Sequence, residues 1–94
     1  MIYIIDIDGT ICNSNNSDYL NSEPLLDRIQ KINDLYNDGN TIIYWTARGS
    51  VSGIDWEDLT KQQLLEWGCL HHELKMNKPN YDVWVDDKAN WIFK

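Results

Sequence analysis

The feature that most constrains the fold is the segment 2–10, with the sequence IYIIDIDGT. Residues 2–5 are apolar and rich in β-branched side chains, which is typical of a parallel strand covered on both faces. Asp6 and Asp8 follow at its carboxyl end, and Gly9 allows the backbone to turn away there. Ligands bind at that end of the strands in open α/β sheets, so the two acids indicate a functional site.

The length and charge of the chain limit what it can be. Its 94 residues predict one domain, 1–94, with a single core. The formal net charge is −7 and no basic cluster offsets the acids, which disfavours unaided binding to nucleic acid or to an anionic membrane. Cys12 and Cys69 lack metal-ligand spacing, and no basic-then-apolar leader precedes the first strand, so we expect a reduced, cytoplasmic setting.

The rest of the chain alternates helical and strand patterns, which predicts an α/β domain with a short parallel sheet. Polar residues 11–21 predict a loop, and Ser22 is the predicted cap of a helix that has Pro24 in its first turn. The apolar face of this helix consists of Leu25, Leu26, Ile29, Ile32, Leu35 and Tyr36. The later elements are a helix from 55 to 68 and strands at 41–45, 70–74 and 82–85.

Polar side chains gather around the ends of three predicted strands. Asp6 and Asp8 follow the first, Thr46 follows the second, Asp86 and Asp87 follow the last, and Lys78 precedes that last strand. Parallel strands end at one edge of the sheet, so we expect these groups to meet. Two carboxylates about 4 Å apart repel by roughly 4 kcal/mol at an effective dielectric near 20, so four of them need protons or a counter-ion. Oxygen ligands with open coordination positions favour Mg²⁺.

This combination of groups predicts phosphoryl chemistry. A divalent ion and an ammonium group neutralise phosphate oxygens, while a hydroxyl and loop amides orient them. One carboxylate can then attack phosphorus. A second acid two residues further on points the same way on an extended segment, so it can protonate the leaving oxygen and later activate water.

Taken in order, these segments resemble the four motifs of the haloacid dehalogenase superfamily of phosphotransferases. Segment 6–10 resembles the first motif, Thr46 the second, Lys78 the third and Asp86-Asp87 the fourth. The resemblance covers essentially the whole chain. It implies a three-layer, Rossmann-like fold with the strands in the order fourth-first-second-third. Loops 11–21 and 47–55 are too short for a cap domain, so the chain resembles the minimal, capless type.

The resemblance also implies a role for each matched residue. Asp6 is the nucleophile that becomes an aspartyl phosphate, Asp8 is the general acid/base, and Thr46 and Lys78 hold the phosphoryl group. The implied Mg²⁺ ligands are the Asp6 side chain, the Asp8 backbone carbonyl, Asp86 and, through water, Asp87. An acid at position 8 resembles the phosphatase branch. We therefore expect a phosphomonoester hydrolase for a small phosphorylated metabolite, such as a sugar phosphate or a nucleotide.

Several residue assignments stay open. Lys75 is a rival to Lys78 as the phosphate-binding lysine. Ala47 and Arg48 are expected at the substrate site, although an exposed structural role fits Arg48 equally well. Trp56 follows the second loop, where it stacks on a sugar or base or packs in the core.

The functional class also has alternatives. A phospho-accepting signalling domain gathers similar groups, but there the acidic pair precedes the lysine, whereas here one follows it. A catalytically silent module that binds phosphate through the same site is a second alternative. If the site is an open hydrolase site, a homo-oligomer or a large substrate would shield it from water.

Overall fold

The computed structural model describes residues 1–79 and has a parallel sheet with two helices. In chain order the elements are β1 (Ile2–Ile5), β2 (Cys12–Asn13), β3 (Glu23–Pro24), α1 (Leu26–Asn37), β4 (Thr41–Trp45), α2 (Glu57–Glu66) and β5 (Glu73–Lys75). One-turn 3₁₀ helices at Asn15–Ser17 and Tyr19–Asn21 lie between β2 and β3. The predicted α/β class is confirmed, and no separate cap domain is inserted within residues 1–79.

The sheet has the order β1-β4-β5, and all three strands are parallel. Ile2 pairs with Thr41 and Ile5 with Tyr44, so β1 and β4 end at the same edge. This order is the first-second-third part of the predicted order. The predicted fourth strand, 82–85, lies outside the described residues together with Asp86 and Asp87, so the four-strand order stays a prediction.

Burial differs between the two strands that were predicted most clearly. In β4, Ile42 and Tyr44 are fully buried and the alternate residues are partly buried, as expected for a strand inside the sheet. In β1, Tyr3 and Ile5 pack against the core, but Ile2 and Ile4 are 70% and 57% exposed. The prediction that the first strand is covered on both faces therefore does not hold for β1 in the structure.

The segment between β1 and α1 is more ordered than the predicted loop. Strands β2 and β3 pair antiparallel, with Cys12 opposite Pro24. Helix α1 accordingly begins at Leu26, and the prediction that Ser22 caps it with Pro24 in its first turn is wrong. The Ser22 hydroxyl instead hydrogen-bonds with Ser14 at 2.5 Å, so tertiary contacts outcompete the local capping pattern.

Helix α1 packs through a narrower face than the sequence predicts. Ile29 and Ile32 are buried and Leu35 and Tyr36 are partly buried, whereas Leu26 is 65% exposed. The helix ends at Asn37, two residues before Gly39. Because α1 starts four residues after Ser22, Leu26 occupies its first turn and lies away from the core.

From residue 41 to residue 79 the elements follow the prediction with small shifts in their boundaries. Asp55 accepts a hydrogen bond from the backbone N–H of Glu57, the first residue of α2, at 3.0 Å. Strand β5 begins at Glu73, three residues later than predicted. His72, just before it, accepts a hydrogen bond from the Ile42 N–H at 3.1 Å and stacks on Tyr36, so it has a packing role.

Cys12 and Cys69 are both free and buried. Across the described range, no helix has the length and apolarity needed to span a membrane.

The register of α1 predicts a large difference between two apolar residues of the same helix. Ile29→Ala leaves a cavity in the core and should lower the free energy of unfolding by about 2–5 kcal/mol. Leu26→Ala, the matched control, removes a mostly exposed side chain and should change it by about 0.5 kcal/mol or less. Urea denaturation measures both. Equal losses would show that Leu26 belongs to the core after all.

Candidate functional site

The carboxyl ends of β1 and β4 bring three of the predicted site residues together. Asp6 follows β1, and its Oδ1 lies 3.7 Å from Nζ of Lys78. The backbone N–H of Lys78 donates to the carbonyl of Thr46, which follows β4, at 2.9 Å. The side chain of Lys78 is 14% exposed and that of Asp6 is 39% exposed, so the carboxylate is the more accessible of the two groups. The arrangement places a carboxylate and an ammonium group at the same edge of the sheet, and we call this place the mouth of the site.

The rival lysine lies elsewhere. Nζ of Lys75 sits 5.0 Å from the ring centroid of Trp45, as a cation-π contact. Lys75 belongs to β5, whereas Lys78 follows it in a loop that returns to Thr46. Of the two lysines, Lys78 is therefore the one placed beside Asp6.

Asp8 is held by a buried arginine. Nε of Arg48 donates to Oδ2 of Asp8 and its second terminal nitrogen donates to Oδ1, both at 2.9 Å. Such bidentate pairs are among the strongest hydrogen-bonded contacts in proteins. Ser14 Oγ also donates to Oδ1 of Asp8, at 2.6 Å. The Asp8 carboxylate is therefore fixed in position.

Arg48 itself is 2% exposed, which corrects both expectations for it. It neither stands at the mouth of the site nor serves as an exposed structural residue. Its remaining donors reach Thr60 at 3.2 Å and Gln63 at 2.6 Å, both on α2. Buried arginine is tolerated when its charge and N–H groups are satisfied, as they are here.

The pKa of Asp8 reflects opposing effects. Partial burial raises it, but the hydrogen bonds from Arg48 and Ser14 and the Arg48 charge together lower it more. The net pKa lies below its usual value of 3.8. Asp8 is thus ionised at neutral pH, and both of its carboxylate oxygens accept hydrogen bonds from Arg48 or Ser14.

Several residues that the sequence did not single out support this pair. Arg28 of α1 donates to the carbonyls of Gly9 and Thr10 at 3.3 and 3.1 Å, which holds the turn after Asp8. Gly9 has a φ of +82°, the conformation expected for glycine at that turn. The other supporting residues are Ser14, Ser22, Thr60 and Gln63. Polar residues are frequent in exposed helices and loops, so the sequence did not indicate that these four side chains are partly or fully buried.

The described residues supply part of a possible metal-binding site. Residues 1–79 contain no group of three acidic, histidine or cysteine side chains that could hold a metal ion. The partly exposed Asp6 carboxylate at a strand end fits a hard cation such as Mg²⁺. Asp86 and Asp87, the other acids implied as ligands, lie outside the described residues.

Comparisons with known proteins give one structural likeness. The chain is similar to the crystal structure of a target protein from Vibrio cholerae, with 27% sequence identity and a TM-score of 0.82. The match covers 94% of this chain and 80% of that chain. No protein-family model and no curated protein matches the sequence. The likeness supports the α/β fold and names no activity.

The Asp8–Arg48 pair predicts how the stability of the metal-free protein depends on pH. The folded-state pKa of Asp8 lies below its usual value, so its ionised form stabilises the fold at neutral pH. This contribution is lost as the pH falls through the lowered pKa. We expect Asp8→Asn to be less stable than the parent protein at neutral pH, and the difference to shrink below about pH 4.

Urea denaturation in the presence of a chelator, at several pH values, measures this difference. The control is Asp38→Asn, which alters an exposed acid at the end of α1 and should leave the pH dependence unchanged. A stability difference for Asp8→Asn that stays constant down to strongly acidic pH would contradict the prediction.

Proposed function

We propose that the chain is a Mg²⁺-dependent phosphomonoester hydrolase of the haloacid dehalogenase type that forms an aspartyl phosphate on Asp6. The observation that carries the proposal is the 3.7 Å approach of the Asp6 carboxylate and the Lys78 ammonium group where two adjacent parallel strands end. Thr46 lies beside Lys78 through its backbone carbonyl, and its buried hydroxyl accepts a hydrogen bond from the Arg48 N–H at 3.2 Å. A nucleophilic carboxylate, a hydroxyl and an ammonium group are the side chains that transfer of a phosphoryl group through an acyl phosphate requires. The expected substrate is a small phosphorylated metabolite.

The proposed reaction has two displacements at phosphorus. An oxygen of Asp6 attacks phosphorus and the bond to the ester oxygen breaks, and the leaving oxygen takes a proton from solvent, so the leaving group departs as an alcohol. Water then attacks the phosphorus of the aspartyl phosphate, its proton passes to Asp8, and inorganic phosphate leaves. Lys78 stabilises the negative charge on the phosphoryl oxygens in both displacements.

Asp8 is better prepared for the second displacement than for the first. Its carboxylate is ionised and held in place by Arg48, so it can accept a proton from water. Donation of a proton to the leaving group requires the protonated form, which the Arg48 charge disfavours. Leaving groups that depart readily without protonation should therefore be favoured.

The proposal includes a finer fold assignment and a metal. We place the fourth strand, 82–85, beside β1, so that Asp86 and Asp87 reach the mouth where Asp6 lies. Asp6, the Asp8 carbonyl, Asp86 and Asp87 would then hold Mg²⁺, which neutralises phosphoryl oxygens when it is bound. We further propose that the domain has no cap and that the protein is cytoplasmic.

Phosphate release from p-nitrophenyl phosphate tests the function directly. We expect the parent protein to release phosphate with Mg²⁺ and to stop when a chelator is added. Asp6→Asn removes the nucleophile and should abolish turnover. Asp8→Asn should lower kcat by about 10²- to 10⁴-fold, the usual contribution of a general acid or base.

The exposed Asp38→Asn variant again serves as control and should keep full activity, while circular dichroism checks that each variant is folded. Near-normal hydrolysis by Asp6→Asn would refute the assignment. An aspartyl phosphate that persists for minutes would instead favour the phospho-accepting signalling domain. Binding of the ester without release would favour the catalytically silent module.

The two lysines give a second test. Lys78→Met removes an ammonium group that faces the phosphoryl oxygens, and the loss of a charged hydrogen bond of about 1.5–3 kcal/mol should lower kcat/KM by roughly 10- to 100-fold. Lys75→Met, the matched control, removes the lysine that lies on Trp45 and should change kcat/KM by less than about twofold. The reverse order of effects would assign phosphate binding to Lys75.

A further inference from the structure

A pocket with an aromatic wall opens beside the candidate active site. Its volume is about 450 Å³, within the range of small-molecule sites. Tyr19, from the segment between β2 and β3, forms one wall with Trp56, which directly precedes α2. The loop between β4 and α2 forms the rest, with Ala47, Gly49, Val51, Ser52 and Ile54. The proposed phosphoryl-transfer steps use none of these residues.

The loop that lines the pocket also borders the site of phosphoryl transfer. Ala47, one of its lining residues, directly follows Thr46 in the chain. Oγ of Ser50, in the same loop, donates to the carbonyl of Lys78 at 2.8 Å. A phosphoryl group held by Thr46 and Lys78 would thus lie next to the loop that lines the pocket. The group esterified to that phosphoryl group is then the part of a substrate that can enter the pocket.

The walls of the pocket are fixed by packing. Gly49 has a φ of +80°, and a Cβ there would lie 2.1 Å from the carbonyl oxygen of Ile54, so the loop can close only on a glycine. The ring of Tyr19 lies 4.7 Å from the guanidinium carbon of Arg48 and 5.2 Å from the Trp56 ring, in an edge-on contact. Gln63 also donates to the Tyr19 carbonyl at 2.6 Å. The aromatic wall is therefore preformed.

The chemistry of the lining selects an uncharged occupant. Every described residue that lines the pocket is uncharged. The acids Asp55 and Glu57 flank Trp56 and line a neighbouring depression. Lys61 pairs with Glu57 at 3.0 Å, so the Asp55 carboxylate is the charge that would repel a second anionic group on the substrate. Val51 and Ile54 are 81% and 55% exposed, and a ligand that covered them would gain from the burial of apolar surface.

We propose that this pocket binds the leaving group of the substrate and selects an uncharged ring with an apolar face. The inference rests on the proposed function and adds the class of ester to it. An aromatic ring and a saturated ring share the required chemistry, because either can place an apolar face against Trp56 or Tyr19, whose rings stand at 80° to each other. A second phosphate or a carboxylate on the leaving group is excluded.

A set of primary-alcohol esters tests the selection: benzyl, cyclohexylmethyl, 4-carboxybenzyl and ethyl phosphate. We expect kcat/KM to be at least about tenfold higher for a ring ester than for ethyl phosphate, because the ring adds roughly 1.4 kcal/mol of contact. Benzyl and cyclohexylmethyl phosphate separate the aromatic from the saturated ring. The 4-carboxybenzyl ester should lose most of the advantage.

Variants connect this preference to the pocket. Trp56→Ala should bring the benzyl-to-ethyl ratio of kcat/KM close to one, and the matched control Leu65→Ala, on an exposed position of α2, should keep it. Val51→Lys places a positive charge at the exposed rim and should raise the relative kcat/KM for 4-carboxybenzyl phosphate. It tests the pocket without changing the packed Trp56. A ratio that Trp56→Ala leaves unchanged would overturn the proposal.

Binding of benzyl alcohol separates this inference from the proposed function. The alcohol has no phosphate, so its binding requires no turnover, and the NMR signal of the Trp56 indole N–H reports on the pocket. We expect a saturable shift of that signal, retained in Asp6→Asn. Absence of phosphatase activity with a saturable shift would refute the proposed function alone. Absence of any shift, together with an equal kcat/KM for benzyl and ethyl phosphate, would refute the pocket.

Discussion

The buried ion pair between Arg48 and Asp8 is the interaction on which the rest of the site depends. A guanidinium group inside a protein is costly unless its charge and its N–H groups all find partners. Here the partners come from separate parts of the chain: Asp8 after β1, Ser22 before β3, and Thr60 and Gln63 on α2. Removing one partner of such a pair typically costs about 3–5 kcal/mol, because the other charge stays buried and unpaired. The pair therefore links the end of β1 to α2. The contacts that stabilise the buried Arg48 also fix the position of Asp8 at the site.

Strand register then decides which groups meet. The pairing of Ile5 with Tyr44 brings the carboxyl ends of β1 and β4 to the same edge, so Asp6 and Thr46 leave the sheet within one residue of the same level. The pairing of Trp45 with Lys75 sets where the chain leaves β5, and three residues later Lys78 returns to the Thr46 carbonyl. A slip of one residue in either pairing would turn the side chains to the opposite face. The same backbone hydrogen bonds that stabilise the sheet thus position the proposed nucleophile and the phosphate-binding lysine.

These contacts explain which parts of the structure could be predicted from the sequence. Strands β1 and β4 have the predicted boundaries, because runs of β-branched and aromatic residues favour the extended conformation whether one face of the strand is covered or both. The predicted start of α1 was wrong because Ser22, a good capping residue by local pattern, hydrogen-bonds with Ser14 and Arg48 instead. The burial of Arg48 could not be predicted, since its main partner lies 40 positions earlier in the chain. Local patterns identified where Asp6, Asp8 and Lys78 lie relative to the strands. Only the tertiary structure showed which cation lies beside each acid.

Those counter-charges sharpen the argument for a divalent ion. Four gathered carboxylates would require strong compensation, but Arg48 neutralises Asp8 and Lys78 lies beside Asp6. The described part of the site is therefore balanced. If Asp86 and Asp87 join it, as we propose, they add two negative charges, and the site residues within 1–79 offer no cation besides Arg48 and Lys78. One divalent cation restores the balance, whereas a monovalent ion would leave the site anionic and repel a phosphate ester. The proposed requirement for Mg²⁺ thus follows from the charge that Arg48 and Lys78 leave uncompensated.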